Sequence, residues 1–252
     1  GVNTLAEKIS RLYPKTKIEF SCRYYLPGRK IMRFDKGLFI NGRLLATPEF
    51  AKKVPLKGPD EVLMANGEIV AVRAVTKTFN EVRKKGKVTN LKAKTVKFPW
   101  ELIVNLAAGL AADWPALKMK KRKYQVHKST VLLNKQQIYF DDGVEIEAGA
   151  VIDARHGPVY IGRGTIIRPL TYLKGPLSIG PLCRIGGEVG ESIFHGYTNK
   201  QHYGFIGHAY VGEWVNLGAG TTNSDLKNNY GTVKVQIDGK LVDSQEQFVG
   251  CF

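Results

Sequence analysis

From Ile161 onward, aliphatic side chains return every six residues: Ile161, Ile167, Leu173, Ile179 and Ile185. Four positions after each stands a small or aliphatic residue, in order Thr165, Thr171, Leu177, Cys183 and Val189. Glycine follows the first residue directly at Gly162, Gly180 and Gly186. The frame returns at Val211 with Val215 and at Leu217 with Thr221, and in weaker form at Val144 with Ala148 and Ala150 with Ala154. Stretches near 155–160 and 190–210 interrupt it. A period of six fits neither the helical period of 3.6 nor the strand period of 2. It fits a chain that runs a short strand, turns a corner and starts another, so that every sixth side chain points into a narrow prism. Glycine relieves the backbone at the bend. Three hexads close a coil of about 18 residues, so 126–252 has room for about seven coils. A β-sandwich with evenly spaced strands is the competing architecture, and the number of hexads that obey both positional rules argues against it.

Upstream the texture is different. Residues 6–12 are helix-like, 17–25 and 67–75 are strand-like, and "GLFINGR" at 37–43 predicts a short strand closed by an Asn-Gly turn. Thr47-Pro48-Glu49-Phe50 reads as a helix start. Residues 99–117 predict a helix with Pro99 in its first turn and Leu102, Leu106, Ala107 and Leu110 on one face. The basic run over 118–128 predicts a linker. The fold class is therefore mixed: an α/β region over 1–125 and a repeat region over 126–252.

Composition narrows the partners. Hydrophobic residues at 43% and aromatics at 10% support globular cores and exclude a disordered chain. Cys22, Cys183 and Cys251 are odd in number and far apart, which argues against a disulfide framework and for a reducing, cytoplasmic setting. No stretch reaches the roughly 18 apolar residues of a membrane span, and the N-terminus carries no signal-peptide core. A net charge of +16 suits a solvated surface, small anions such as nucleotides, sugar phosphates or coenzyme A, or nucleic acid. The basic runs at 84–97 and 118–128 lack interleaved aromatics other than Tyr124, which argues against a nucleic-acid platform. No Cys/His metal spacing and no Gly-x-Ser-x-Gly elbow is present.

The stretches "NGRLLATPEF" (41–50), "FPWELIVN" (98–105) and "GYTNKQHYGFIGHAYVGEWVNLGAGTTNSDLKNNYGTVKV" (196–235) resemble, in their spacing too, one known family. It is the bifunctional N-acetylglucosamine-1-phosphate uridyltransferase / glucosamine-1-phosphate acetyltransferase family, and within it a Bacteroidetes-type branch of sugar nucleotidyltransferases. The likeness is specific over 179–235 and loose before 125. It implies a partial nucleotidyltransferase-like α/β domain followed by a left-handed parallel β-helix. It also implies a homotrimer with sites between neighbouring prisms, acetyl-CoA as acyl donor, and UTP with Mg2+ in a complete nucleotidyltransferase domain. Against that family the chain reads as shortened at both ends. The Gly-rich phosphate loop is missing, and "SQEQFVGCF" stops within a repeat.

Carried over by position, His202 matches the catalytic histidine, a general base suited by a side-chain pKa near neutrality. Asn216 matches an asparagine that contacts the sugar, although asparagine also caps β-helix corners. Ala219 matches an alanine at the acyl and oxyanion site, followed by Gly220 and Thr221. Lys200 and Arg184 are candidates for the sugar phosphate. Gln201 replaces the family's usual glycine, Phe205 its tyrosine, and Asp225-Leu226 its Asn-Tyr pair; these changes bear on the sugar more than on acyl transfer. His208, one hexad after His202, is a lesser candidate, and His195 reads as a loop residue. Three functions compete: N-acetylation of an amino-sugar phosphate in UDP-N-acetylglucosamine synthesis, a nucleotidyltransferase whose β-helix only trimerises, and a basic RNA-binding module.

Overall fold

Residues 1–22, 35–118 and 121–252 are described by the computed structural model. They divide into two units, Asn3–Lys97 and Phe98–Phe252, the second of which includes Gly1–Val2.

The first unit opens with α1 (Leu5–Leu12), started by a capping box between Thr4 and Glu7. Its sheet has the order β1-β3-β2-β4, from β1 (Gly37–Ile40), β2 (Glu61–Ala65), β3 (Glu68–Ala74) and β4 (Lys87–Asn90). The β2–β3 hairpin turns through Asn66-Gly67, both at positive φ (50° and 77°), as a two-residue mirror-image turn requires. As expected, the strand at 37–40 is closed by a turn at Asn41-Gly42, in which Leu44 N–H donates to Asn41 O (3.0 Å), and the strand pairs with β3. Thr47 caps α2 (Pro48–Lys53), as its sequence predicts, and α3 (Phe79–Lys85) leads into β4, which runs parallel to β2. One sheet face buries Leu63, Ala65, Val70 and Ala71 against Leu44, Phe50 and Val54, and the other buries Val62, Val72 and Ala74 against Val82. Residues 17–22 form no strand, contrary to the expectation over 17–25; 23–25 lie outside the described residues.

In the second unit the hexads become three parallel five-stranded sheets, the faces of a triangular β-helix consistent with the left-handed class. The first face holds β5 (Gln125–Val126), β8 (Glu145–Ile146), β11 (Ile166–Ile167), β14 (Arg184–Ile185) and β17 (Asn199–Lys200). The second holds β6 (Val131–Leu133), β9 (Val151–Asp153), β12 (Tyr172–Lys174), β15 (Glu188–Gly190) and β18 (Phe205–Gly207). The third holds β7 (Ile138–Phe140), β10 (Val159–Ile161), β13 (Leu177–Ile179), β16 (Ile193–Gly196) and β19 (Tyr210–Glu213). All five predicted rungs from Ile161 to Ile185 are buried inside, with Thr165, Thr171, Leu177, Cys183 and Val189 packed beside them. Each aliphatic rung contributes about 1.5–3 kcal/mol of burial.

The frame proposed before residue 155 is out of phase. The rungs there are Ile146 and Ile152, while Val144 and Ala150 fill the small positions ahead of them and Ala148 is exposed. Extra residues at the 155–157 turn reset the phase before Ile161. Coils also change length: on the first face the rungs step by 21, 18 and 15 residues (146 to 167, 167 to 185, 185 to 200).

There are five coils where about seven were expected. After the Gly-Ala-Gly-Thr stretch the chain leaves the prism for a hairpin of β20 (Lys234–Ile237) and β21 (Lys240–Asp243). It then returns over the last coil, where Gly250 N–H donates to His208 O (3.1 Å) and Tyr210 N–H to Cys251 O (2.9 Å). This return pairs backbone groups that the terminal coil would otherwise leave open.

The predicted helix over 99–117 is two helices, α4 (Trp100–Val104) and α5 (Leu106–Lys118). Its buried face runs through Trp100, Ile103, Leu106 and Leu110, and Leu102 and Ala107 lie beside it. Leu106 and Leu110 pack on Tyr139 and Tyr160, the outward residues of the third face. These helices consequently belong with the β-helix, and the unit boundary falls at Phe98.

Candidate functional site

Outward residues of the first face form a column, Arg184, Asn199 and Asn216, on consecutive coils. Asn199 Nδ2 donates to Asn216 Oδ1 (2.9 Å), and Asn199 Oδ1 is buried without a partner. Arg184 and Asn216 are exposed. The column ends at the corner between the first and second faces, where residues 201–204 form an outward turn that carries His202.

The Gly-Ala-Gly-Thr stretch lies directly on that turn. Gly220 N–H donates to Tyr203 O (3.0 Å), and Phe205 N–H donates to Thr222 Oγ1 (3.3 Å). A Cβ at Gly204, whose φ is +122°, would overlap Thr221 O, so only glycine permits this approach. The hydrogen bonds that tie the stretch down run from Gly220 and Thr221; the Ala219 N–H donates none of them, and Ala219 is exposed. The structure thus brings the His202 turn and the 219–221 stretch together at one corner, with Arg184 and Asn216 in the column on the adjoining face. His202 is exposed, and its Nε2 lies 3.5 Å from Gln201 Nε2.

Lys200 is not on this surface. It occupies the inward position of β17, is 1% exposed, and donates to Gly186 O (2.9 Å) and His202 O (2.8 Å). Burial pushes its ammonium below the usual lysine range. The expectation that Lys200 meets a sugar phosphate does not fit this placement, because the register of β17 turns its side chain into the prism.

Asp225 and Phe205 gather at Gly207, away from the column: a Cβ there would meet both side chains. Asp225 Oδ2 lies 2.6 Å from His208 Nδ1, and Glu191 Oε2 lies 2.8 Å from His208 Nε2. Lys174 Nζ bonds the other oxygen of Glu191 at 2.8 Å, and the Phe248 ring stacks on His208 at 4.9 Å. Burial would lower the His208 pKa, but the bonds to Glu191 and Asp225 override it and raise it. The His208 bond in turn holds Glu191 down to about 2, with Lys174 assisting. With a carboxylate on each ring nitrogen, His208 is held as an imidazolium with no lone pair to act as a base. His195 contacts Glu213 (3.3 Å) on the third face.

This ladder of charges was missed in the sequence. Its signal is a spacing of 17 residues, from Lys174 to Glu191 to His208 to Asp225, which a strict 18-residue coil conceals. Among the described residues no group of three or more His, Cys, Asp or Glu side chains could hold a metal ion, and no helix is long and apolar enough to cross a membrane.

The second unit is thus a parallel β-helix of hexapeptide coils, with an exposed corner histidine beside a Gly-Ala-Gly-Thr stretch. Residues 1–122 match the family model described as "Sugar nucleotidyl transferase". Curated relatives include the bifunctional protein GlmU of a Picosynechococcus species, 40% identical over 77 residues, covering 29% of this chain and 17% of the relative. GlmU of Clostridium perfringens is 32% identical over 114 residues (44% and 22%), and that of Clostridium novyi is 28% identical over 134 (51% and 27%). These alignments thus span about a quarter or less of the relatives' length. The chain is GlmU-like and related to transferases.

Proposed function

We propose that this chain forms part of an acetyl-CoA-dependent N-acetyltransferase acting on an amino-sugar phosphate such as glucosamine 1-phosphate, on the way to UDP-N-acetylglucosamine. The observation that carries the reading is the meeting of His202 with the 219–221 stretch at one exposed corner. In this mechanism His202 accepts a proton from the sugar amine as its nitrogen attacks the thioester carbonyl. The carbon–nitrogen bond forms, the tetrahedral oxyanion is met by a backbone N–H at Ala219, and the carbon–sulfur bond then breaks to release coenzyme A as thiolate. In this reading Asn216 would meet the sugar and Arg184 its phosphate. The neighbouring prism of a homotrimer would complete the pocket.

The test is thiol release from acetyl-CoA with glucosamine 1-phosphate on the full-length protein. His202→Ala should cost about 10²–10⁴-fold; an unchanged rate would sink the assignment.

A second reading is favoured by the family match over residues 1–122. In it the protein joins a sugar 1-phosphate to a nucleotide, with UTP and Mg2+ acting in a complete nucleotidyltransferase domain, and the β-helix only assembles the trimer. Pyrophosphate release from UTP and N-acetylglucosamine 1-phosphate, insensitive to His202→Ala, would select it. Membership in the Bacteroidetes-type branch rests on the motifs at 41–50, 98–105 and 196–235.

A further inference from the structure

Lys200 stands in a column of aliphatic side chains. On the first face its inward position follows Val126, Ile146, Ile167 and Ile185 in register. Among the described residues of this prism it and Asp153 are the charged side chains exposed by only 1%, and Asp153 is paired with Arg155. Its hydrogen-bond partners are two backbone carbonyls, and no carboxylate is among them.

The reason for a cation here lies in the coil register. On the lower coil, rungs Ile185 and Val189 are separated by residues 186–188; on the next, rungs Lys200 and Ile206 are separated by 201–205. The upper turn therefore has two residues more than the turn it sits on, and it bulges outward. Ladder bonds close on either side of the bulge, from Gly186 N–H to Lys200 O (2.7 Å) and from Glu188 N–H to Gly204 O (3.1 Å). Between them the two backbones press together: a Cβ on Gly187 would lie 3.0 Å from His202 O and 2.8 Å from Gly204 O. The mismatch aims His202 O and Gly186 O inward, where the coil offers them no N–H. The Lys200 ammonium supplies both donors from inside. An apolar rung would leave the buried Gly186 carbonyl and the part-buried His202 carbonyl without this donor.

We infer that Lys200 is a positioning residue for His202: by holding the His202 carbonyl inside the prism, it fixes the overhanging turn so that the imidazole faces outward. This rests on the proposal that His202 is the base. The role differs from phosphate binding, since the ammonium is spent on the turn itself.

The test uses Lys200→Met, which fills the rung without donors, and Lys200→Gln, which restores N–H donors without the charge. In the full-length protein, Lys200→Met should speed hydrogen exchange at the Gly220 and Phe205 amides, which bond Tyr203 O and Thr222 Oγ1, by ~10-fold while exchange at the Ile167 and Leu173 rungs stays unchanged. It should lower kcat for acetyl transfer about 10–100-fold with KM for acetyl-CoA within about 2-fold, and Lys200→Gln should recover part of both. Adding His202→Ala to Lys200→Met should cost no more than His202→Ala alone. Unchanged exchange at the Gly220 and Phe205 amides with unchanged kcat overturns the inference. So does failure of both variants to fold, which would make Lys200 a general core residue. If the wild-type protein transfers no acetyl group, the reading of His202 fails, and the exchange measurement still decides whether Lys200 holds the turn.

Discussion

His202 and His208 lie on successive corners of the same coil, six residues apart, and differ in what reaches their ring nitrogens. At the first corner a two-residue excess pushes the backbone outward, its carbonyl is held from inside by Lys200, and the ring is exposed. At the next corner the ring is enclosed by Glu191, Asp225 and Phe248. A free imidazole can accept a proton from a substrate, whereas one bonded to two carboxylates stabilises the fold and is closed to chemistry. In a β-helix, corner geometry alone can thus leave one histidine of a repeat frame exposed and enclose the next.

The sharpest way to break this contrast is to exchange the effects. His202→Ala should abolish acetyl transfer to the extent given above and leave the melting temperature nearly unchanged, because its ring makes no buried contact. His208→Ala should do the reverse. It leaves the mostly buried Asp225 without its cation and Glu191 with Lys174 alone, and removes the Phe248 stack, so unfolding by urea should show a loss of about 2–4 kcal/mol. A stability loss under about 0.5 kcal/mol would show that the ladder is not structural.

Gly204→Ala comes next in size. The new Cβ meets the Thr221 carbonyl, and φ is +122°, so a loss of about 1–3 kcal/mol is expected together with weakened acetyl transfer, as the 219–221 stretch separates from the His202 turn. Activity lost with stability intact would point instead to a direct contact with substrate.

The two corners should also differ in pH response. The pKa of His208 is raised in the folded state, so its stabilisation is fully present below the ordinary histidine value of about 6.5 and is lost as pH rises through the raised value. Glu191, held at about 2, contributes stability above the ordinary carboxylate range that is lost as pH falls through its lowered value. Melting temperatures should therefore form a plateau between about pH 5 and 6.5 and decline as pH rises beyond it, and His208→Gln should remove that decline. An alkaline decline that survives the substitution would assign it to other groups. The smallest effect is expected at Trp214, stacked on Tyr197 at a third corner and 76% exposed: Trp214→Ala should cost about 0.5–1 kcal/mol, read by thermal melting.

Much of the fold is legible because the prism demands it. Ile161 to Ile185 can be buried together only if the chain turns every six residues, and that requirement is visible as a period. The phase is harder to read. Val144 and Ile146 are both buried aliphatics, and which is the rung depends on how many residues the 155–157 turn holds, a quantity the hydrophobic pattern does not encode. The same applies to the site. His202 stands out against the Gly-Ala-Gly-Thr motif, but the identity of Lys200 points to a surface cation, and only register turns it inward. Asp225 looks like a substitution in a sugar site until its coil is laid beside that of His208.

The order of residues thus decides that there are coils, where glycine lets two backbones touch, and which side chains alternate inside and out, since these follow from local geometry and apolar burial. The stacking of one coil on the next decides the rest. Coils of 15 to 21 residues shift neighbours by whole positions, so the meeting of Lys200 with the His202 carbonyl, and of His208 with Glu191 and Asp225, exists only once the coils are laid in register.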